Sequence, residues 1–350
     1  MDTPLLAQHQ AAGATLGDFS GCRLPDKFGD WEAEWRVARE SVALFDTTCD
    51  AIVILRGPDR VRYLHAIVSN DVRSLGEDEG ARALLLNPQG HILFELEIHA
   101  QQDQLLVLSH ASVHELTVAT LDKYIIMDDV EMEDATDRLG TIAFEGPRAG
   151  IVASQLAGFA LEGFAELAGE RVDIAGVKCY LVRRSHYGFP GVQIIAPREH
   201  LATLWGVVGA AVDAEHGAVI GMRALNALRL EAGVPWFPLD FNDTVVANEA
   251  GLDATHLSFT KGCYTGQEIV ERVRSRGHLN RRRVRLTFST PDPPAAGTKL
   301  RAGDSEAGYV TSAAFSPLSG TAIGMGYVRR ERDSTGSIVE YDGGTATVID

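Results

Sequence analysis

A pattern of strand, Gly-Pro turn and helix occurs twice along this chain, and it constrains the fold more than any other feature of the sequence. In the first copy, the apolar run 51–55 predicts a strand, Gly57-Pro58 predicts a turn, and apolar residues at helical spacing follow. In the second copy, residues 141–144 predict the strand and Gly146-Pro147 the turn. Glycine permits a sharp turn, and proline suits the first helical position because its missing N–H is not needed there. Two such copies predict a duplicated α/β architecture, with coincidence as the alternative because Gly-Pro turns are common.

The remaining segments predict a further domain at the C-terminal end. Between the two copies, residues 91–99 and 104–108 predict strands, whereas 111–124 and 199–212 predict helices and the first 45 residues predict short helices. The Pro-rich stretch 289–297 predicts a linker, and the short strands beyond it predict a small β-barrel. We therefore divide the chain into a region 1–288, with halves at 46–140 and 141–260, and a barrel domain at 289–350.

Length and charge narrow the class of protein. The chain has 350 residues and a formal charge of −16, so we expect two or three domains and no general nucleic-acid coat, because an acidic surface repels phosphate. No apolar run is long enough for a signal peptide or a membrane span. The four scattered cysteines indicate reduced, buried thiols. These features predict a cytoplasmic protein without membrane contact.

One motif is highly specific, and it comprises Lys261, Gly262, Cys263, Tyr264, Thr265, Gly266, Gln267 and Glu268. Thr265 and Glu268 have the spacing of a helix capping box, and Gly277 is placed to end the helix. Cys263 would then lie just before a helix N-terminus, where the macrodipole and the nearby Lys261 should lower the pKa of its thiol. The alternative is an inert buried cysteine. We interpret Cys263 as a reactive or partner-contacting thiol.

The motif 261–268 is similar to the signature of the folate-binding YgfZ family, which is related to the T-protein (aminomethyltransferase) of the glycine cleavage system. Segments that resemble T-protein landmarks occur in the same order along nearly the whole chain, at 3–5, 41–46, 56–59, 70–71, 144–147, 228–233 and 316–317. The YgfZ branch continues the segment 228–233 with Val234-Pro235. The resemblance implies an α+β fold. It would have duplicated, ferredoxin-like α/β halves around a central folate channel, followed by a C-terminal β-barrel, with tetrahydrofolate or a one-carbon derivative as the cofactor.

The resemblance also implies which residues line the folate channel. Phe94 and Glu95 stand where aminomethyltransferases have two aspartates, the second of which is the acid/base, so Glu95 is a candidate catalytic residue one methylene longer. Gln193 stands in place of a pterin-reading glutamate, and His186 lies near the place of a tyrosine. A helix arginine of the family is replaced by Leu225, with Arg223 nearby.

Two other charged sets have competing interpretations. Arg229 and Glu231 are predicted to buttress the fold as a charge pair on a helix, with a channel role for Arg229 as the alternative. The strand 91–99 places His91, Glu95, Glu97 and His99 on one face, which could ligate a metal but is more often the polar face of a half-buried strand. His110 and His114 share a helix face, which we interpret as solvated. We therefore predict no metal site.

The stretch 261–285 is basic in an otherwise acidic chain. It holds eight Lys or Arg residues against two Glu, a net charge of +6. One interpretation is a solvated cationic face that pairs with acidic residues elsewhere. The other is an anion site for a polyglutamyl folate tail, a phosphate-bearing partner or tRNA.

Three functions follow from these features. The leading hypothesis is a tetrahydrofolate-binding protein of the YgfZ type, which the resemblance connects with the assembly or repair of iron–sulfur enzymes and thereby with tRNA modification. Its partners would be folate and iron–sulfur clients or assembly proteins. The alternative is a folate-dependent aminomethyltransferase in which Glu95 replaces the catalytic aspartate. The third is a non-enzymatic tRNA-binding or assembly scaffold that uses 261–285.

Overall fold

A computed structural model of the chain describes residues 2–277 and 279–349. Its helices are α1 (Leu6–Ala11), α2 (Trp31–Glu40), α3 (Arg60–Ile67), α4 (His114–Tyr124), α5 (Ala149–Ala157), α6 (Leu201–Ala214), α7 (Met222–Ala232), α8 (Asp253–His256) and α9 (Gln267–Arg276). Its strands up to the middle of the chain are β1 (Thr15–Phe19), β2 (Cys22–Lys27), β3 (Ala43–Asp46), β4 (Asp50–Arg56), β5 (Gly80–Leu86), β6 (Ile92–Ala100), β7 (Leu105–His110), β8 (Glu131–Asp134) and β9 (Leu139–Glu145). The later strands are β10 (Gly169–Ile174), β11 (Val177–Arg183), β12 (Gly191–Pro197), β13 (Ala218–Val219), β14 (Arg281–Phe288), β15 (Lys299–Ala302), β16 (Ser305–Ser316), β17 (Thr321–Arg329), β18 (Ile338–Tyr341) and β19 (Gly344–Val348). Among these described helices, none combines the length and the apolar character that crossing a membrane requires.

The two predicted halves share one order of elements. In the first half, β4 is followed by α3, three strands, α4 and β8, in a sheet of order β5-β6-β7-β4-β8. In the second half, β9 is followed by α5, three strands, α6 and β13, in a sheet of order β10-β11-β12-β9-β3-β13. Among the described strands of these two sheets, β3, which lies between β9 and β13, is the one without a counterpart. The predicted duplication and the α+β fold class are confirmed.

The Gly-Pro turns stand at equivalent places in the two halves. Gly57 follows β4 with φ +96°, and Gly146 follows β9 with φ +143°, a backbone region that favours glycine. The helices begin two residues after the prolines, at Arg60 and Ala149, so proline precedes the first helical position predicted for it. The sheets pack against each other through apolar residues of β4 and β7 on one side and β11 and β12 on the other.

The C-terminal barrel is closed, with strand order β14-β17-β16-β15-β18-β19 and β14 paired with β19. A barrel was predicted, but its predicted start at residue 289 is wrong because β14 already belongs to it. The Pro-rich stretch 289–297 therefore connects two barrel strands rather than two domains. Apolar residues alternate along β14, so its inward side chains join the barrel core while the arginines between them point away.

The N-terminal region differs from the prediction of short helices alone, because β1 and β2 form a two-stranded hairpin between α1 and α2. Cys22 of this hairpin is bonded to Cys49, which precedes β4, in a disulfide. The prediction that all the cysteines are reduced is therefore wrong for this pair. Cys179 is free and buried, as predicted, whereas Cys263 is free and exposed.

Candidate functional site

A cavity of about 980 Å³ lies where the two halves, helix α7 and the barrel meet. The β1–β2 hairpin, strand β6, the segment after β11, α7 and barrel strand β16 all contribute to its wall. A cavity of this size accommodates a small molecule or cofactor, and such sites occur preferentially between domains. It occupies the position of the channel predicted from the resemblance.

Strand β6 places two carboxylates in the cavity wall. Glu95 and Glu97 line the cavity, whereas Phe94 points to the opposite face and is fully buried in the apolar core of the first half. Alternation along a strand forces this difference, because successive side chains face opposite sides of the sheet. The expectation that Phe94 contacts a cofactor is therefore wrong.

Glu95 is paired with a histidine from the segment that follows the second half. Its Oε1 lies 2.7 Å from Nε2 of His256, and Nδ1 of the same ring lies 2.7 Å from the hydroxyl of Thr255. Burial alone would raise the pKa of Glu95, but the hydrogen bond and charge of His256 hold it below its usual value. The wall thus carries an ionised carboxylate with a proton donor at hydrogen-bond distance.

Glu97 and Arg184 form a buried ion pair beside this group. Glu97 Oε2 lies 2.7 Å from Arg184 Nε, and its Oε1 lies 3.1 Å from Nε2 of His99. Burial would raise the pKa of Glu97, but Arg184 and His99 lower it well below its usual range. For Arg184, burial lowers the pKa, and the attraction of Glu97 more than compensates. Arg184 lines the cavity as a fixed cation.

Gln193 lies behind the cavity wall rather than in it. Its Oε1 accepts a hydrogen bond from Arg184 (2.6 Å), and its Nε2 donates to Oδ2 of Asp50 (2.9 Å). Asp50 lines the cavity, whereas Gln193 does not. The side chain predicted to read the cofactor therefore holds two wall residues in place instead.

His186 does line the cavity, as expected. Burial, reinforced by Arg184, lowers its pKa well below the usual value, so its imidazole is neutral. Its Nε2 accepts a hydrogen bond from Arg184 (2.6 Å), which places the ring proton on Nδ1. The loop that carries it is anchored by Glu145, which accepts hydrogen bonds from the backbone N–H groups of His186, Tyr187 and Phe189. Burial raises the pKa of Glu145 to about 7 despite these bonds.

The two helix arginines have different surroundings. Arg223 lines the cavity at the exposed end of α7 and pairs with Asp26 of the hairpin at 2.6 Å. Arg229 is fully buried and pairs with Asp240, and it does not line the cavity. A buttressing role was the preferred interpretation of Arg229, but its partner is Asp240 and not Glu231. Glu231 pairs instead with Arg39 at 3.0 Å.

In the motif 261–268, the Lys261 side chain is held by hydrogen bonds to the protein backbone. Its ammonium group donates hydrogen bonds to the backbone carbonyls of His65, Val68 and Asn70, and it lies 5.1 Å above the ring of Tyr264. Burial lowers its pKa to about 8. We expected Lys261 to lower the pKa of the Cys263 thiol. In the structure its ammonium group instead fixes the motif to the end of α3.

The predicted capping box does not form. Helix α9 begins at Gln267 with Gly266 as its N-cap residue and without a side-chain cap, and Glu268 pairs with Arg272 instead of reaching back to Thr265. Gly266 has φ +82°, and a Cβ there would lie 2.6 Å from the carbonyl oxygen of Asn87, so glycine is required where the motif packs on the turn before β6. Helix α9 ends at Gly277, as predicted.

The basic stretch 261–285 does not form one charged face. Arg272 and Arg274 pair with Glu268 and Glu271 within the stretch, whereas Arg281 pairs with Glu249 (3.0 Å) and Arg283 donates to the carbonyl of Ala250 (2.8 Å). These contacts support the interpretation of internal pairing; the side chain of Arg276 and all of His278 lie outside the described residues. A tRNA contact remains a prediction.

The structure places no metal site on strand β6. Within residues 2–277 and 279–349, no group of three or more His, Cys, Asp or Glu side chains is arranged to hold a metal ion. Glu95 pairs with His256, and Glu97 pairs with Arg184 and His99. His114 pairs with Asp134 at 2.7 Å.

The wall residues that the sequence analysis did not assign to the site include Asp50, Arg184 and His256. A polar residue at the first position of an apolar strand was the only local signal for Asp50, and Arg184 follows β11 in a run of polar residues. His256 lies 161 residues from Glu95, so no local pattern connects them.

The fold and the cavity together define the class of protein: two duplicated α/β halves and a barrel that meet around a ligand-sized cavity. Residues 5–258 match the family model of the GCVT N-terminal domain, and residues 281–348 match that of the glycine cleavage T-protein C-terminal barrel domain. The chain belongs to the glycine cleavage T-protein family.

Relatives of known name cover nearly the whole chain. An aminomethyltransferase of Caldanaerobacter subterraneus subsp. tengcongensis is 27% identical over 97% of this chain and 90% of its own length. One of Rubrobacter xylanophilus is 28% identical over 95% of this chain and 88% of its own length. The crystal structure of the glycine cleavage system aminomethyltransferase T from Bartonella henselae has a TM-score of 0.91 at 23% identity, covering 100% of this chain and 97% of that one. This last likeness shows the fold.

Proposed function

We propose that this chain binds a tetrahydrofolate in the central cavity and transfers an aminomethyl-type one-carbon unit to it. The observation that carries the proposal is the Glu95–His256 pair in the cavity wall, where a carboxylate and an imidazole lie 2.7 Å apart. The names of the full-length relatives support the same activity.

The cavity residues fit a reduced folate. A folate joins a flat heterocycle with N–H donors to an aromatic ring and a carboxylate tail. The wall offers a carboxylate to the heterocycle at Glu95, apolar surface at Trp236 and Phe241, and a cation to the tail at Arg223. These groups support the proposal that the cavity binds a folate.

A bound tetrahydrofolate would supply the nitrogen atoms that take up the one-carbon unit. Glu95, held ionised by His256, would accept a proton at Oε1 from a reacting nitrogen. The Thr255 hydroxyl, 2.7 Å from Nδ1, fixes the ring orientation of His256 with Nε2 facing Glu95.

A reconstituted assay tests this proposal. The purified chain is given tetrahydrofolate and an aminomethylated lipoyl carrier, and methylenetetrahydrofolate is measured. We expect product with the unmodified chain and a loss of roughly 100-fold or more in kcat for Glu95→Gln, which cannot accept the proton. Glu306→Gln, at an exposed barrel position outside the cavity, is the matched control. Absence of product with the unmodified chain, under conditions in which it binds folate, would contradict the transfer activity.

A second candidate is the YgfZ-type role in maintaining iron–sulfur enzymes, and one observation favours it. Cys263 is a free, exposed cysteine, and a Cβ added at the preceding Gly262 would meet no atom within 4 Å, so a partner can approach the backbone closely. This environment suits contact with a client protein better than it suits a core residue.

Complementation of an iron–sulfur-deficient strain tests the second candidate. The unmodified chain should restore growth, and Cys263→Ala should not. Cys179→Ala, which removes a buried thiol away from the motif, is the control that should retain function if it folds. Full rescue by Cys263→Ala would exclude a thiol-dependent role.

A further inference from the structure

Asp50 has a different environment from the other carboxylates of the cavity wall. It is the first residue of β4, directly after the disulfide-bonded Cys49, and its side chain lines the cavity. Glu95 is paired with His256 and Glu97 with Arg184. Among the described residues, no Lys, Arg or His side chain lies in ion-pair contact with Asp50.

The polar contacts of Asp50 all fall on one of its oxygens. Gln193 Nε2 lies 2.9 Å from Oδ2, and the Thr141 hydroxyl lies 3.1 Å from the same atom. Both donors are fully buried, and neither lines the cavity. Oδ2 therefore faces the protein, and within the described part of the chain Oδ1 accepts no hydrogen bond.

Arg184 determines how Gln193 is oriented. A guanidinium group can only donate, so Gln193 must present Oε1 to Arg184 and Nε2 to Asp50. This arrangement holds Asp50 by a neutral donor from behind and leaves its negative charge without a contacting cation. The pKa of Asp50 is consequently raised to about 6, because burial and the nearby Glu97 outweigh the attraction of Arg184.

We propose that Asp50 is a ligand-binding carboxylate of the cavity, whose Oδ1 accepts a hydrogen bond from an N–H group of a nitrogen heterocycle. The inference rests on the proposed folate-binding function and adds a residue to it. Gln193 acts as a positioning residue, since it fixes the carboxylate without reaching the cavity. A charged acceptor of this kind, buried and open on one side, favours ligands that bring their own donor.

Calorimetric titration with tetrahydrofolate tests the inference without an activity assay. We expect Asp50→Asn to weaken binding by roughly tenfold or more relative to the unmodified chain, because a hydrogen bond to a charged group is lost. Asp103→Asn is the matched control, since Asp103 is exposed, pairs with Arg171 at 3.1 Å and lies outside the cavity. Its affinity should equal that of the unmodified chain.

The outcomes separate the inference from the function on which it rests. If the unmodified chain binds and Asp50→Asn binds equally well, the inference is overturned while folate binding stands. If the unmodified chain does not bind, the folate proposal itself fails. A thermal melt confirms that each variant is folded. Should Asp50→Asn not fold, Asp50→Ser, which is smaller and keeps an acceptor for Gln193, is measured against the same criteria.

Discussion

At the scale of single residues, the cavity wall shows how a partner decides the protonation state of a carboxylate. Glu97 touches a guanidinium group and has a pKa far below its usual range, whereas Asp50 touches an amide and a hydroxyl and has a pKa raised to about 6. Desolvation raises the pKa of both side chains and Arg184 attracts both, so burial alone does not separate them. What differs is direct contact with the cation, which outweighs desolvation only at hydrogen-bond distance.

The raised pKa of Asp50 predicts a specific dependence of stability on pH. The folded chain binds this proton more tightly than the unfolded chain, so its contribution is fully present below about pH 4 and is lost as the pH rises through about 6. The charged groups that face it are Arg184 and Glu97. The resulting decrease in the free energy of unfolding is on the order of 3 kcal/mol, and we expect Asp50→Asn to remove it.

Urea unfolding at pH 5 and at pH 7.5 measures the effect. The unmodified chain should lose more of its free energy of unfolding between the two pH values than Asp50→Asn does. Equal losses in the two proteins would show that Asp50 ionises normally in the folded state.

A second prediction at this scale concerns Lys261. Replacing it with Met leaves the carbonyls of His65, Val68 and Asn70 without their donor, so we expect the free energy of unfolding to fall by about 2–4 kcal/mol. Alkylation of Cys263 in the folded variant should proceed at the rate of the unmodified chain. A much slower alkylation would restore the interpretation that Lys261 activates the thiol.

At the scale of elements, the β1–β2 hairpin is attached to the cavity by a covalent link. The hairpin forms a two-stranded sheet of its own, and its Phe19 lines the cavity. Cys49, which precedes β4, lines the cavity as well. The disulfide between Cys22 and Cys49 spans 27 residues and joins the hairpin to the start of β4, next to Asp50. A two-stranded hairpin is marginally stable alone, so this attachment holds one wall of the cavity in place.

Removing the disulfide should loosen this wall. Replacing Cys22 and Cys49 together with Ser is expected to lower the free energy of unfolding by about 3–4 kcal/mol, the chain-entropy value for a loop of this length. Limited proteolysis should then cut first within residues 15–27. Cys263→Ser, which changes an exposed free thiol, is the control. Unchanged proteolysis of the double variant would mean that noncovalent contacts alone hold the hairpin.

At the scale of the whole molecule, a buried hydrogen-bonded network joins helix α7 and the segment that follows it to the barrel. Asp240 pairs with Arg229 of α7 and accepts hydrogen bonds from Thr311 (2.6 Å) and Ser312 (2.5 Å) of barrel strand β16. Arg229 also lies 4.9 Å from the ring of Trp236. Since α7 and β16 both line the cavity, this network sets the separation of its walls.

Breaking the network should destabilise the chain more than breaking an exposed pair. For Arg229→Met we expect a loss of about 3–5 kcal/mol in the free energy of unfolding, because Asp240 is left buried and unpaired. Arg171→Met, which breaks an exposed pair with Asp103, should cost less than about 1 kcal/mol. Chemical denaturation of both variants measures the difference, and similar losses would contradict the role assigned to Arg229.

The architecture could be predicted from local patterns, because strands, Gly-Pro turns and helices repeat in one order and each is encoded within a few residues. Glu95 and His186 could be assigned to the cavity for a similar reason, since each lies within a short segment resembling the family. Phe94 could not, because one residue along a strand reverses the direction of a side chain. Gln193 could not, because two wall residues from other segments of the chain, Asp50 and Arg184, cover it.

The chemistry of the wall came only from the tertiary structure. His256 reaches Glu95, and Gln193 reaches Asp50, across 161 and 143 residues, and Lys261 contacts carbonyls nearly 200 residues away. The pairing of Cys22 with Cys49 and the membership of β14 in the barrel are likewise contacts between distant segments. Local periodicity records which side of an element is buried, whereas the identity of the neighbour that sets a charge depends on how the sheets, α7 and the barrel close around one cavity.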